Sequence, residues 1–213
     1  MLISFATGTL LTAALFGLIP NAIESAGGES QNVMLFVLGG ILSFFFLEKI
    51  IIWRNCSDED CDVHSAAGPI VLIGDALHNS IDGIVIAAAF LTSITVGVAV
   101  GIAIIAHEVP QETGDFGILL HGGFSKKKAL IYNSLSSITT IPAAIIGYFL
   151  LAEISFIIPF ALAISAASFL YIALSDLTPE LHRKWEFKNT LKQLILILAG
   201  VTMMIFIMVS MTP

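Results

Sequence analysis

Residues 74–91 read GDALHNSIDGIVIAAAFL, and this stretch decides the fold. It is apolar enough to cross a bilayer, yet it carries Asp75, His78, Asn79 and Asp82. A second such stretch follows closely, VGIAIIAHEVPQETGDFGILL over residues 100–120, with His107, Glu108, Gln111, Glu112 and Asp115. A charged group at mid-bilayer costs at least ~2.5–3.5 kcal/mol on insertion scales. Several of them in adjacent spans must therefore face one another, or a ligand they share.

The rest of the chain agrees with a lipid environment. Of 213 residues, 57% are hydrophobic and only 12% charged, where a soluble domain carries about 25% charged residues. Runs of roughly 20 apolar residues, the length that spans ~30 Å of hydrocarbon, fall near 2–23, 33–53, 66–91, 95–121, 129–151, 154–176 and 190–211. The expected fold class is all-α: a polytopic membrane helix bundle with seven transmembrane helices, forming a single membrane domain over residues 1–213. Gly27-Gly28 and Gly122-Gly123 mark turns. Only a few residues around Thr92 to Thr95 join the third run to the fourth, so the two polar-loaded helices are antiparallel neighbours.

Threading seven spans places all nine Lys and Arg residues on one side, including Lys49, Arg54, Lys126–Lys128 and Arg183. The opposite side receives Glu24, Glu29 and Glu153. Basic loops stay in the cytoplasm, so the N-terminus is expected inside and the C-terminus outside. A cytoplasmic loop is expected at about 54–65, and its two cysteines stay reduced there. The lack of long polar extensions leans toward a prokaryotic plasma membrane. No basic leader precedes the first apolar run, which begins abruptly at residue 2.

Positions i, i+3, i+4 and i+7 share a helix face. Asp75, His78, Asn79 and Asp82 have this spacing, and His107, Glu108, Gln111, Glu112 and Asp115 repeat it on the next helix. Counted from the turn near Ser93 at 1.5 Å per residue, the two stripes overlap within about one helical turn near mid-membrane. Pro110 cannot donate to the carbonyl of Ala106, which predicts a kink beside the charged residues. Gly83 and Gly114 are expected to let neighbouring helices approach closely.

Imidazole, carboxylate and amide oxygen together form a borderline donor set. It suits Zn²⁺, with Fe²⁺, Mn²⁺, Co²⁺ or Cd²⁺ as alternatives, better than Ca²⁺ or Mg²⁺. No cysteine lies in the spans, which favours a site that releases its ion. The set has capacity for two ions sharing Glu108 or Glu112 as a bridge. One His or Asp alone could be interhelical glue. This many acids, with no intramembrane Lys or Arg, require a cation, and protons in place of metal remain the alternative. His107-Glu108-Val109-Pro110-Gln111 approaches the H-E-x-x-H motif of zinc proteases, but Gln replaces the second His. The chain is therefore expected to have no catalytic residues and no enzymatic activity. Its expected partners are the metal ion and the lipid bilayer. Nucleic acid is not one of them, and a homodimer is left open.

With these residues in place, the chain resembles the ZIP family of metal transporters (Zrt/Irt-like proteins). The family's paired motifs, H-N-x-x-D/E-G and H-E-x-P-H-E-x-G-D, stand here as His78-Asn79-Ser80-Ile81-Asp82-Gly83 and His107-Glu108-Val109-Pro110-Gln111-Glu112-Thr113-Gly114-Asp115. FATGTLLTAALFGLIPNAIE, GGILSFFFLEKII and AASFLYIALSDLTPEL resemble the family's second, third and seventh spans. The resemblance implies zinc carried inward through His78, Asp82 and His107. It implies a second site at Asn79 and Glu108, with Gln111 between the two, and bundle movement in an alternating-access or elevator manner. Gln111 departs from the family's His or Glu, so Glu112 is expected to take over part of its role. Ala13 and Gly17 stand where the family often has Asp and His. After the two motif helices, Ser136, Ser137, Thr139 and Thr140 are the polar groups where a Glu can occur. The second site is accordingly expected to be thin.

The family normally has eight spans, and aligned that way this chain lacks the first. Cys56, Cys61 and His64, on the acidic inner loop, are expected to capture an emerging ion, or else to sit in a solvated linker. Asp176 and Glu180 are placed toward the exit path. His121 and His182 read as interfacial groups at span ends.

Overall fold

A computed structural model describes residues 2–55, 67–182 and 187–210. Seven helices among them are long and apolar enough to cross a membrane, and no strand occurs among the described residues. They are α1 (Leu2–Ser25), α2 (Ser30–Asn55), α3 (Ala67–Thr92), α4 (Ile94–His121), α5 (Lys126–Glu153), α6 (Ser155–His182) and α7 (Phe187–Ser210). The expected bundle is thus recovered, with span limits within about six residues of those expected.

The turns follow their local chemistry. Gly27 and Gly28 adopt φ of 69° and 92°, and Gly123 adopts 85°, a region open to residues without a Cβ. The N–H groups of Gly28 and Phe124 close these turns onto Ile23 O at 2.9 Å and Leu119 O at 3.1 Å. Between α3 and α4 a single residue, Ser93, leaves the helical conformation. Its backbone is extended, and its Oγ accepts from the N–H of Val96 at 3.1 Å, capping α4 as N-cap serines do.

Prolines account for the irregular helices. α1 widens to π-helix over Ala13–Leu18 and α6 over Ile172–Leu177. Each widened segment ends two residues before a proline, Pro20 or Pro179, which cannot supply the i→i−4 bond of a regular turn. Side chains also bond carbonyls within the widened segments: Asn21 Nδ2 reaches Gly17 O at 2.9 Å and Thr178 Oγ1 reaches Ala173 O at 2.6 Å. α5 breaks around Ile138–Thr139, just before Pro142. α4 runs through Pro110 as one helix.

α1 and α6 are the most buried rods, and α2, α5 and α7 present broad apolar faces outward. α3 packs against α4, α5 and α6; α1 packs against α4, α6 and α7; α2 lies along α6. The buried seams are rich in alanine, including Ala88, Ala99, Ala103 and Ala166, because helices in lipid associate through close packing of small residues. Gly83 is the tightest seam in the polar region: a Cβ there would stand 2.3 Å from Thr140 O. Gly114 departs from expectation. Nothing lies within 4 Å of its Cβ position, because it is on the exposed side of α4.

Candidate metal centre

The two polar stripes meet across the α3–α4 interface. Asp82, fully buried, and His107, 1% exposed, form its floor. His78, whose side chain is 23% exposed, and Glu108 close over them. His107 Nε2 lies 3.2 Å from Asp82 Oδ2, 3.4 Å from Glu108 Oε1 and 3.4 Å from His78 Nε2. His78 Nε2 lies 3.5 Å from Glu108 Oε1 and 3.8 Å from Asp82 Oδ2. All four donor atoms fall within 4.8 Å of one another.

These spacings have a simple geometric meaning. Zinc binds nitrogen and carboxylate oxygen at ~2.0–2.2 Å in tetrahedral sites, so neighbouring ligand atoms are separated by ~3.3 Å. Five of the six edges of such a tetrahedron lie at 3.2 to 3.8 Å here, close to that figure, and the sixth is within 4.8 Å. The four side chains can therefore take a tetrahedral ion with little movement.

The proton arrangement agrees. His107 Nδ1 lies 3.1 Å from the carbonyl of Ala103. An N–H donated there leaves Nε2 with its lone pair toward the cluster, the orientation in which second-shell carbonyls hold metal-binding imidazoles. The edge of Phe169, 5.9 Å away between ring centroids, packs against the same imidazole. Neither oxygen of Asp82 and neither oxygen of Glu108 receives a hydrogen bond. One proton on His78 Nε2 would satisfy one contact; a cation satisfies all of them.

A second group adjoins the first. Asp75, Glu108 and Glu112 each place a carboxylate oxygen within 4.8 Å of the others, so Glu108 is common to both groups. Asp75 is buried, and its Oδ1 accepts from Asn79 Nδ2 at 3.0 Å and from Gln111 Nε2 at 3.3 Å. Asn79 Oδ1 accepts from Thr140 Oγ1 at 2.8 Å. The hydroxyl of Ser137 donates to Glu112 Oε1, and Asn133 Nδ2 donates to the Glu112 carbonyl at 3.0 Å. α5, which carries no acid near this level, thus braces both stripes with neutral donors.

His78, Asp82, His107 and Glu108 come together as the sequence spacing implies, and Glu108, rather than Glu112, is the group shared between clusters. Asn79 and Gln111 lie beside the second group as hydrogen-bond donors to Asp75. The sequence spacing places Asp75 on the polar stripe without naming it a ligand, and Asn133 behind Glu112 lies outside both stripes. The stripe spacing puts Asp75 on the correct face, but the paired motif begins only at His78. Asp115 joins neither group. Ala13 and Gly17 are buried in the widened part of α1 and offer no ligand. Asp176 is exposed within the widened part of α6. His121 and His182 stand at helix ends, the latter with Nδ1 2.8 Å from Thr178 O. Cys56, Cys61 and His64 lie outside the described residues.

Comparison with known proteins gives a consistent result. The family model described as ZIP Zinc transporter matches residues 54–208. Zinc transporter ZIP13 of Pongo abelii is 31% identical over 223 residues, covering 96% of this chain and 65% of that protein. Zinc transporter zipt-7.2 of Caenorhabditis elegans is 28% identical, covering 97% of this chain and 57% of its own length. Zinc transporter ZIP10 of Mus musculus is 40% identical over 112 residues, 53% of this chain and 13% of that protein. The chain thus spans less than two thirds of the length of these relatives.

Proposed function

The chain belongs to the ZIP zinc transporter family, and from that premise we propose that it carries a divalent transition metal, zinc foremost, across the membrane into the cytoplasm. The cargo binds at His78, Asp82, His107 and Glu108. The observation that carries this reading is the near-tetrahedral spacing of four lone-pair donors in a buried, acidic pocket. Mixed imidazole and carboxylate ligands also suit Fe²⁺, Mn²⁺, Co²⁺ and Cd²⁺, so discrimination among these ions falls to details of the same pocket.

The inward direction is supported by the segregation of Lys and Arg, which puts the N-terminus, the loop at 54–65 and the Lys126–Lys128 turn in the cytoplasm. On this orientation α4 descends inward, and Glu112 and Asp115 follow His107 toward the inner face. Cys56, Cys61 and His64 would then receive the ion, and residues 1–213 act as one transport domain. The named relatives are animal proteins, so they lend nothing to a prokaryotic membrane. The apolar outer faces of α2, α5 and α7 suit lipid, and a second copy of the chain would seat on the same surface.

The family is one of carriers, and the site itself opposes proteolytic chemistry. A zinc protease would need a second imidazole at position 111 and a Glu free to activate water. Here Gln111 is turned to Asp75, and Glu108 lies 3.5 Å or less from both imidazoles, as a ligand does.

Zinc uptake into proteoliposomes tests the proposal. Wild-type protein is expected to accumulate zinc, while His78→Ala and His107→Ala remain folded and lose flux. Uptake unchanged in both variants would remove this pocket from the transport path.

A further inference from the structure

α2 and α6 share a seam that is closed at one end and open at the other. At the closed end the rings of Phe36 and Phe160 stand 4.4 Å apart between centroids, and a Cβ on Gly40 would come within 2.6 Å of Ala167 Cβ. Beyond this crossing the helices part. α2 packs closely along Ile158–Tyr171 but not along the widened segment Ile172–Leu177. The next ring pair across the seam, Phe44 and Tyr171, is 6.2 Å apart. The gap is a groove of about 400 Å³, lined by Ile41, Leu42 and Phe45 of α2 and by Leu170, Leu174 and Ser175 of α6. That volume is within the range of small-molecule sites, ~300–1,000 Å³. All of these side chains but Ser175 are hydrocarbon.

The open end carries a charge. Lys49 Nζ lies 5.7 Å from the centroid of the Phe45 ring, so the ammonium stands over a side chain of the groove wall. Lys49 is exposed, and among the described residues no carboxylate pairs with it. Asp176, the adjoining acid on α6, does not line the groove. The apolar part of α2 ends at Leu47, which puts the Lys49 ammonium at headgroup level. From Gly40 to Lys49, at 1.5 Å per residue, the groove runs ~13.5 Å from its closed end to the charge. Half of a ~30 Å hydrocarbon core is ~15 Å. The groove is thus one leaflet deep, shut by small-residue contact near the midplane and topped by a cation.

We propose that this groove binds one anionic glycerophospholipid, with an acyl chain between α2 and α6 and the phosphate against Lys49. A bare apolar cleft would accept any lipid tail. The cation at its mouth selects an anion, because a basic side chain at the membrane surface attracts anionic lipid. Ser175 stands ~12 Å beyond Ala167 on α6, close to the level of Lys49, and offers its hydroxyl to a glycerol ester carbonyl. A second copy of the chain fits less well. An incoming helix is ~10–12 Å across, against a gap whose facing rings are 6.2 Å apart. Which leaflet supplies the lipid follows from the orientation proposed above; the groove itself depends neither on that orientation nor on the metal site.

Native mass spectrometry of the full chain in detergent, titrated with phosphatidylglycerol or with phosphatidylcholine of the same acyl chains, reads the site. Wild type is expected to retain one phosphatidylglycerol, about fivefold more readily than phosphatidylcholine, the preference that one surface cation supports. Lys49→Gln is expected to lose that preference, while Lys192→Gln, exposed near the start of α7, keeps it. Leu174→Trp changes an exposed lining residue; it is expected to fill the groove and lose both lipids with Lys49 still in place. The thermal midpoint without added lipid checks that each variant is folded. Equal retention of the two lipids by wild type would overturn the proposal, as would a preference unchanged in Lys49→Gln. Lipid held at the wild-type level by Leu174→Trp would do the same. A wild-type dimer that Leu174→Trp splits, with no lipid counted, would assign the groove to a second copy instead. Zinc flux in proteoliposomes tests the transport reading separately, and its loss leaves the lipid count unchanged.

Discussion

Gly83→Ala is expected to unseat α5 from the polar stripe of α3. The added Cβ would meet Thr140 O at 2.3 Å, Ala144 N at 2.7 Å and Ala143 Cβ at 2.8 Å, where ordinary contacts begin at 3.4 Å. Two of these three are backbone atoms, so the helices must separate by about 1 Å to restore normal van der Waals distances. The hydrogen bonds Thr140 Oγ1 to Asn79 Oδ1, 2.8 Å, and Thr139 Oγ1 to Ala76 O, 2.9 Å, cross the same seam and do not survive a shift of that size. Overpacking costs about 1–3 kcal/mol, and each interhelical hydrogen bond in a membrane about 0.6 kcal/mol. The expected loss is therefore about 2–4 kcal/mol. Thermal unfolding in detergent reads this as a lowered midpoint, and proteoliposome uptake reads the accompanying displacement of Asn79 and Asp75. Gly114→Ala is the matched control, because a Cβ there meets open space and alanine favours helix. Equal melting of the two variants would refute the reasoning.

Two further outcomes follow from the centre. Zinc at about 100 times its dissociation constant should stabilise the folded protein by about 2.7 kcal/mol, and His107→Ala should abolish that thermal shift; a shift of unchanged size would place the stabilising ion elsewhere. Gln111→His puts an imidazole beside Asp75 and Glu108, and it should tighten zinc binding while slowing turnover at saturating zinc. Unaltered affinity in dialysis would mean that position 111 does not face the ion.

Spans, turns and the first cluster were legible because each rests on a short-range rule. Apolar run length sets the spans, Gly27, Gly28 and Gly123 supply the left-handed turns, and helical spacing brings His78 and Asp82 onto the face that meets His107. The remainder depends on which atoms meet across helices. Stripe spacing places Asp75 and Asn79 on one face, but only Thr140, 61 residues away in the chain, turns the Asn79 amide. Gly83 and Gly114 look alike as small residues near a polar stripe. One lies under α5 and the other is exposed, a difference created by helix placement. Pro20, Pro142 and Pro179 announce disruption, but not its kind, which is a widened turn in α1 and α6 and a break in α5.

Every donor atom of the first cluster hangs from two legs joined by Ser93 alone. A hairpin that short behaves like a pair of tongs. Tilting or sliding the whole implement leaves the grip unaltered, and only spreading the legs loosens it. Grip strength and the depth at which the ion is presented are thus governed by separate motions, so substitutions along the outer flanks of the tongs can alter delivery while the affinity for the held ion stays the same.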